Sequence, residues 1–315
     1  MKRIMTLGEV LIDLTQMGTA ENGVPEFRAF PGGAPANVAV AASRLGAETG
    51  FIGKVGSDRF GAYLRETLEE NRVDTSYLFE SDRVPTTLAV VSVDERGERS
   101  FSFYRDPGAD TQLTSEEAAG FLDAKAGYSI LHFGSLSLTT EPSREAALQT
   151  VRRARDQGLL ISYDPNYRPA LWDDTDEAIR WMKEPLDMVD ILKISDEELV
   201  LMTGTDDPEA GSAVLADHGI RLVLITLGSK GVTYRYSGRA GVMSGTIPGE
   251  TVKVADTNGA GDTFLGAVLS KLEPSRFDDL SREELQEIIV FANHAAAVTC
   301  SRPGAIPAMP TAAEL

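Results

Sequence analysis

The chain has 315 residues, of which 42% are hydrophobic and 25% charged, a composition ordinary for a globular protein with a sizeable core. Its 30 Lys and Arg residues are outnumbered by 48 Asp and Glu, and the net charge of −18 makes nucleic acid and anionic membranes poor partners. One cysteine excludes an internal disulfide framework, and Glu9 and Asp13 interrupt the first apolar segment before a signal-peptide core can form. These features together predict a cytoplasmic protein.

The first predicted element is a buried strand from Ile4 to Ile12. Further along, paired glycines precede a helix predicted from about Val38 to Leu45 and let a ligand approach the backbone closely. Asn37 offers both a donor and an acceptor, which suits a vicinal diol, but the spacing alone slightly favours a plain tight turn with Asn37 bonded to its own loop. Asp13 is likewise either a solvated loop carboxylate or an acceptor for a sugar hydroxyl.

A β-hairpin is predicted where Thr86 to Val93 and Glu98 to Tyr104 flank the turn sequence Asp-Glu-Arg-Gly at 94–97. Phe101 and Phe103 alternate with serines, so one face of the second arm is aromatic. Together with the weakly patterned segment at about 14–30, the segment at about 85–107 is predicted to form a small β-sheet lid. Such a sheet either closes over a ligand or packs on a partner, which makes a homodimer through the lid one prediction.

From residue 128 onward, strands and helices alternate in the predicted order. The strands are Tyr128 to Phe133, Leu159 to Tyr163, Ile191 to Ile194 and Arg221 to Leu227, and the helices between them include Pro142 to Gln157 and Asp207 to His218. This alternation predicts an α/β fold with a mostly parallel sheet flanked by helices on both faces, as a single domain over residues 1–315. Ligands of such folds bind at the carboxyl ends of the strands.

The stretch from Val254 to Phe264 carries the strongest functional signal. A β-like run ends in Asp256, a small-residue turn follows, and Asp262 lies where a helix begins. Gly259 and Gly261 let the turn bend so that backbone N–H groups point into open space, which creates an anion site at the start of the helix. A carboxylate there either merely complements the helix dipole or acts as a base beside the bound anion, as a kinase requires. The combination of strand end, glycine turn and helix start favours the base.

Other motifs are absent or have structural explanations. Neither a G-x-G-x-x-G dinucleotide loop nor a P-loop occurs, so an oxidoreductase is disfavoured and a P-loop enzyme is excluded. Ser195 to Glu198 has the spacing of a helix capping box, and Ser281 to Glu284 has the same spacing. The histidines lack metal-ligand spacing.

Taken together, these residues resemble the ribokinase or PfkB family of sugar kinases, and within it the bacterial fructokinases. The resemblance runs over essentially the whole chain, and its most specific element is the sequence from Asp256 to Asp262. The other matching elements are Gly32 to Val38, Phe51 to Gly56, Phe103 to Asp110, Asp164 to Trp172, Thr226 to Gly228 and Gly304 to Pro307.

The resemblance implies roles for individual residues, with ATP as phosphoryl donor. Asp262 would take the proton from the primary hydroxyl of the sugar, beside an anion hole formed by the N–H groups of Gly259, Ala260, Gly261 and Asp262 itself. The implied sugar contacts are Asp13, Gly32, Gly33, Asn37, Phe103, Arg105 and Arg168. The implied ATP contacts are Thr226, Gly228 and Asn293.

The resemblance also implies metal ions, with departures from the family pattern. Mg²⁺ would accompany ATP and bind Glu198 through water, although Ser195 stands where ribokinases have asparagine. A monovalent cation such as K⁺ would lie near Asp256 and Asn258 and near backbone carbonyls at Thr299, Arg302 and Gly304. Ala308 stands where ribokinase offers a serine hydroxyl at this site.

The implied reaction is ATP-dependent phosphorylation of D-fructose to fructose 6-phosphate. A second candidate within the family is 2-keto-3-deoxygluconate kinase, whose acidic substrate would require arginines such as Arg105 and Arg168. A third, from another class, is a catalytically inactive sugar-sensing protein on the same fold, which the intact Asp262 and its glycine turn disfavour.

Overall fold

The strands of this chain form two separate sheets. The structure, a computed structural model, describes residues 3–93, 99–123 and 127–315. Within these residues the strands are β1 Arg3–Leu7, β2 Leu11–Thr19, β3 Pro25–Gly32, β4 Glu48–Gly56, β5 Val73–Ser81, β6 Leu88–Val93, β7 Arg99–Tyr104, β8 Ile130–Gly134, β9 Leu160–Asp164, β10 Ile191–Ser195, β11 Leu222–Thr226, β12 Val232–Gly238 and β13 Gly241–Ile247. The α-helices are α1 Ala34–Arg44, α2 Arg59–Glu70, α3 Ser115–Asp123, α4 Ser143–Asp156, α5 Thr175–Lys183, α6 Asp196–Thr203, α7 Pro208–Ala216, α8 Ala260–Lys271 and α9 Arg282–Cys300.

The large sheet has the strand order β13-β12-β11-β10-β9-β8-β1-β4-β5. Neighbouring strands from β11 to β5 are parallel, and β12 and β13 add an antiparallel edge. Because parallel strands end at the same edge of a sheet, the loops after β1, β8, β9, β10 and β11 meet there. The predicted α/β class with a mostly parallel sheet is therefore confirmed.

Buried side chains cover both faces of the large sheet. Successive strand residues alternate between two hydrophobic clusters: Leu222 belongs to the cluster that includes α8 and α9, whereas Val223 belongs to the cluster that includes α4 to α7. Strands buried on both faces read as continuous apolar runs, which is why the sequence showed these strands clearly. Each later strand and helix agrees with its predicted position to within about two residues.

The small sheet has the order β3-β2-β6-β7 and contains the predicted hairpin. Strands β6 and β7 pair in antiparallel fashion from Leu88 opposite Tyr104 to Val93 opposite Arg99. The turn residues 94–97, on which the hairpin prediction rested, lie outside the described residues. The segment predicted at about 14–30 supplies most of β2 and β3.

The predicted first strand from Ile4 to Ile12 is wrong, because this run divides between the two sheets. β1 ends at Leu7, and β2 starts at Leu11 in the small sheet. Between them Gly8 adopts φ +152°, and a Cβ there would lie 2.6 Å from Cγ of Pro35. An apolar run shows that a segment is buried but not which sheet buries it, so the sequence alone could not reveal the crossing.

Helix α1 begins at Ala34, four residues before the predicted start at Val38. Its first amide is capped by a distant residue, because Oε1 of Glu9 accepts the Ala34 N–H at 2.9 Å. Local sequence patterns contain no sign of a cap supplied from 25 residues upstream. The helix ends as predicted, with Gly46 at φ +96° just beyond it.

Helices α1 and α8 cross in close contact at Gly266. A Cβ at Gly266 would lie 2.7 Å from Cβ of Ala41 and 2.9 Å from the carbonyl oxygen of Val38. Only glycine lets the two backbones approach this closely. The first turns of the two helices, which carry Asn37 and Asp262, are held side by side as a result.

We expect Gly266→Ala to lower the free energy of unfolding by about 1–3 kcal/mol, because the added methyl group overpacks this crossing. Gly120→Ala in α3 is the matched control, since its Cβ would meet only Tyr77 at 3.6 Å. The control is expected to raise the free energy of unfolding by about 0.4–1 kcal/mol by restricting the unfolded chain. Urea denaturation measures both variants, and equal changes would contradict the close crossing.

Candidate active site

Two adjoining cavities lie at the carboxyl edge of the large sheet, beneath the small sheet. The smaller cavity, of about 90 Å³, is lined by Glu9, Leu11, Asp13, Gly33, Ala34, Asn37, Ala89, Phe103, Leu136, Asn166, Arg168, Asn258 and Asp262. The larger, of about 770 Å³, shares Asn166, Arg168, Asn258 and Asp262 with it and extends along Asp256 to Gly259 towards Lys193 and Gly304. Asp262 therefore stands between a small polar chamber and a more open groove.

Asp262 is a buried carboxylate held in place by Asn37. Nδ2 of Asn37 donates to Oδ2 of Asp262 at 2.8 Å, so neither sequence interpretation of Asn37, diol reader or plain turn, foresaw this contact. Burial raises the pKa of Asp262 to about 6; the Asn37 hydrogen bond opposes the shift and the Asp164 carboxylate adds to it. At neutral pH the group is thus ionised yet basic enough to accept a proton.

Free backbone amides adjoin this carboxylate at the start of α8. Gly259 adopts φ +74° and caps the helix, and in the described part of the chain no protein atom accepts the N–H groups of Gly259, Gly261 or Asp262. The N–H of Ala260 differs from the prediction, because it donates to the Thr257 carbonyl at 3.3 Å. Three unpaired N–H groups at a helix N-terminus form an anion site.

The predicted β-like run ending in Asp256 is wrong. Residues 251–254 form no strand, and Val254 is exposed. The amides of Ala255 and Asp256 instead donate to the carbonyl oxygen of Cys300 at the end of α9. The alternating apolar residues resembled a strand, but Ala255 and Asp256 are hydrogen-bonded to the end of α9 and not to another strand.

Asp13 lies on β2 at the wall of the small cavity. Burial raises its pKa to about 6, opposed by a long hydrogen bond of 3.5 Å from Asn258 and by the charge of Arg168. Gly32 makes room for this side chain, because a Cβ at Gly32 would lie 2.5 Å from Oδ2 of Asp13. Gly33 makes room for the neighbouring backbone, because a Cβ there would lie 2.4 Å from the Glu9 carbonyl oxygen. Gly33, unlike Gly32, lines the cavity itself.

Phe103, Arg168 and Arg105 were all predicted to contact the sugar, and they differ in position. Phe103 and Arg168 line the small cavity. The Arg105 guanidinium instead binds Asp110 at 2.7 Å, the Thr139 hydroxyl at 2.8 Å and the Leu136 carbonyl at 2.9 Å. Arg105 is absent from the residues that line either cavity within the described chain.

Sequence analysis missed Lys193, a buried cation on β10 that faces the larger cavity. Its Nζ lies 2.8 Å from Oδ2 of Asp164, and a Cβ at Gly261 would lie 3.0 Å from the same Nζ. Burial alone would lower the pKa of Lys193, but the carboxylates of Asp164 and Glu198 outweigh it and raise the pKa. A lysine inside an otherwise apolar strand was the available signal, because such a charge is rarely buried without a partner.

Glu9 was also missed, although it lines the small cavity. The residue is only 2% exposed, and its Oε2 has no hydrogen-bond partner within the described structure. Burial raises the pKa of this carboxyl to about 7. Its position in an apolar run suggested only an interrupted strand.

None of the three predicted ATP contacts lines the larger cavity within the described residues. Thr226 ends β11 and pairs in register with Ser195 at the end of β10, two residues beyond Lys193. Gly228 follows with φ +57°, and Asn293 on α9 donates to the Pro248 carbonyl at 3.1 Å. Thr226 and Gly228 thus share the sheet edge with Lys193.

The two carboxylates predicted to bind metal ions, Glu198 and Asp256, each accept two backbone N–H groups. Both carboxylate oxygens of Glu198 accept backbone amides, from Tyr167 at 2.6 Å and Ser195 at 2.8 Å, so the capping-box interpretation is confirmed. Asp256 accepts the N–H groups of Asn258 and Gly304, both at 3.1 Å, and all three residues line the larger cavity.

The remaining two cation residues lie farther along the same segment. The Thr299 carbonyl accepts the Arg302 N–H at 3.1 Å, while the Arg302 guanidinium binds Glu314 at 2.7 Å. Among the described residues no cluster of three or more His, Cys, Asp or Glu side chains is placed to hold a metal ion.

We expect kcat/KM for the sugar to fall about tenfold for each pH unit below about 6, because a protonated Asp262 cannot accept a proton. The pKa is raised from 3.8, so the active carboxylate form is present above pH 6 and lost as the pH falls. A coupled assay from pH 5 to 8, with the sugar held well below its KM, measures this dependence. A flat profile down to pH 5 would contradict it.

A buried carboxylate can deprotonate a hydroxyl, and free amide groups beside it can bind a negatively charged group that is transferred to that hydroxyl. Such an arrangement suits the chemistry of a kinase. The chain belongs to the pfkB family of carbohydrate kinases, whose model matches residues 1–312. It is 40% identical to fructokinase-2 of Solanum habrochaites over 99% of this chain and 94% of that protein.

Solved structures show the same likeness. A fructokinase double mutant from Vibrio cholerae O395, in its fructose, ADP and potassium ion bound form, superposes with a TM-score of 0.87 at 33% identity, covering 100% of this chain and 97% of the other. A fructokinase with bound ATP from Xylella fastidiosa gives 0.88 at 34% identity, with 99% and 96% covered. In the described part of the chain, none of the helices has both the length and the apolar character needed to cross a membrane.

Proposed function

We propose that this carbohydrate kinase transfers the γ-phosphoryl group of ATP to the primary hydroxyl of D-fructose. The observation that carries the proposal is Asp262, which is buried, fixed by Asn37 and placed between the small polar cavity and the free amides of α8. The similarity to plant and bacterial fructokinases over nearly the full chain supports fructose as the sugar.

In the proposed mechanism the sugar occupies the small cavity with its reacting hydroxyl at Asp262. The carboxylate accepts the hydroxyl proton as the oxygen attacks the γ-phosphorus and the bond from that phosphorus to the β,γ-bridging oxygen breaks, so that ADP leaves. The amides of Gly259, Gly261 and Asp262 bind the oxygens of the transferring group. Such a transition state is loose, so positioning and charge neutralisation contribute more than the base. We propose that the small sheet, segments 14–30 and 85–107 of a single domain, closes over the sugar and excludes water.

The charges of the small cavity favour a neutral sugar over an acidic one. Glu9, Asp13 and Asp262 supply carboxylates to its wall, against Arg168 as the cation. Arg105, the second arginine that a 2-keto-3-deoxygluconate kinase would use, is bound to Asp110. An acidic substrate would therefore meet repulsion that fructose does not, although it stays the second candidate.

Both predicted metal-binding carboxylates already hold backbone amides. Because both Glu198 oxygens accept such amides, we propose that Mg²⁺ enters with ATP on the nucleotide phosphates and not on a protein cage. The proposed monovalent-cation site is the Asp256 end of the larger cavity, which Asn258 and Gly304 also line, and the likeness to a potassium-bound fructokinase supports it. A rate increase on replacing Na⁺ by K⁺ is expected, and equal rates in the two salts would refute it.

A coupled ADP-release assay on fructose, ribose, 2-keto-3-deoxygluconate and adenosine tests the proposed function. Turnover is expected with fructose, and turnover on the acid alone would overturn the assignment. Sugar binding without ADP release from any substrate would instead favour the inactive sensor. A cytoplasmic location and a homodimer through the small sheet stay predictions.

A further inference from the structure

The small cavity contains two buried oxygens that lack hydrogen-bond donors. One is Oδ1 of Asn37, whose Nδ2 binds Asp262, and the other is Oε2 of Glu9. Asn37 and Glu9 are 3% and 2% exposed, and both line the cavity. A buried acceptor without a donor costs about 1–3 kcal/mol, so two in one chamber indicate that the ligand supplies the donors.

Glu9 reaches this chamber in a fixed orientation. Its Oε1 accepts the Ala34 N–H at 2.9 Å, which ties the carboxyl to the first turn of α1. The charge of Arg105 opposes the burial that raises the pKa of Glu9, but its guanidinium binds Asp110 at 2.7 Å. Among the described residues the carboxyl is therefore held through Oε1, and Oε2 has no hydrogen-bond partner.

Resting on the function proposed above, we propose that Oε2 of Glu9 binds one hydroxyl of the sugar, other than the one that is phosphorylated. In the proposed mechanism the reacting hydroxyl lies at Asp262, so a second contact at Glu9 helps to set which sugars are accepted. A hydroxyl suits this position because it is neutral and both donates and accepts. A hydroxyl can form a hydrogen bond with either the carboxylate or the protonated carboxyl. Both forms are present near neutral pH, because burial raises the pKa of Glu9 to about 7.

Glu9→Met tests this role, with Glu9→Gln as the matched variant. Methionine fills a similar volume without either oxygen, whereas glutamine keeps an oxygen for the Ala34 amide and a polar atom towards the cavity. Isothermal titration without ATP would measure binding of D-fructose and of its 1-deoxy, 3-deoxy and 4-deoxy analogues. We expect Glu9→Met to weaken fructose binding about tenfold and Glu9→Gln to weaken it less.

The analogues separate sugar binding from helix capping. In the wild type, one analogue is expected to bind about tenfold more weakly than fructose; in Glu9→Met, that analogue and fructose should bind equally. If Glu9→Met weakens fructose and every analogue by one common factor, or changes no affinity, Glu9 only caps α1 and the proposal is overturned. Should Glu9→Met fail to fold, the same comparison is made with Glu9→Gln, in which the penalty for that analogue must shrink.

Failure of the proposed function gives a different result. A wild-type protein that binds no fructose but phosphorylates another sugar would refute fructose as substrate, and the deoxy series would then be made from the accepted sugar. If the wild-type protein is active on fructose but binds all the deoxy analogues with one equally reduced affinity, only the proposed role of Glu9 is refuted.

Discussion

Asp262→Asn is expected to lower the turnover number by about 10²–10⁴-fold, the usual contribution of a general base. The amide has the same shape and can still accept the 2.8 Å hydrogen bond from Asn37 through its oxygen, so the sugar chamber should keep its geometry. Sugar affinity measured by titration should therefore change little. Coupled ADP-release kinetics measure the loss, and turnover near the wild-type rate would show that another group takes the proton.

Stability should move in the opposite direction to activity. The pKa of Asp262 is raised from 3.8 to about 6, so the folded state holds this carboxylate unfavourably above pH 6 and the unfavourable contribution disappears as the pH falls. Replacement by neutral Asn removes that contribution, and the melting temperature at pH 8 should rise. Asp187→Asn, at an exposed carboxylate paired with His218, is the control and should alter neither turnover nor melting temperature appreciably.

The second large effect is expected at Lys193, whose removal should lower turnover by about 10²–10³-fold. Its ammonium group lies beside the amides of α8, where negative charge on the transferring group and the nucleotide phosphates must be neutralised. The KM for ATP should rise as well, whereas direct binding of sugar should be nearly unchanged. This split between nucleotide and sugar effects is measurable by initial rates combined with titration.

A simple Lys193→Met variant would leave the Asp164 carboxylate buried and unpaired, which costs about 3–5 kcal/mol. The informative variant is therefore Lys193→Met combined with Asp164→Asn, compared with Asp164→Asn alone. The double variant removes both charges of the pair and should fold, yet it should keep the low turnover. If it matches the activity of Asp164→Asn, Lys193 serves only to neutralise Asp164.

The identity of the later strands and the position of Asp262 at a helix start were predictable, because each depends on a local sequence pattern. Residues 222–226 form an apolar run wherever they lie in the sheet, and the glycine turn before Asp262 marks a helix start without reference to other segments. The prediction of the first strand was wrong because one apolar run contributes strands to two sheets. Only tertiary contacts decide where such a run divides.

The contacts that complete the site were not predictable, since they join segments far apart in sequence. Asn37 and Asp262 are separated by 225 residues, Lys193 and Asp164 by 29, and Glu9 and Ala34 by 25. Single-sequence patterns report helix and strand periodicity, not which polar side chains meet across the fold. Buried charges such as Glu9 and Lys193 are nevertheless visible in the sequence as charged residues inside apolar runs, which is the signal that could have identified them.

The close crossing of α1 and α8 at Gly266 has a consequence for how the enzyme is made. The ribosome delivers α1 early, but the helix that it crosses starts only at residue 260. Until the last fifth of the protein has emerged, a nascent chain therefore lacks Asn258 and Asp262, which complete the wall of the small cavity. The cavity can form only when synthesis is nearly finished and α8 has docked on α1.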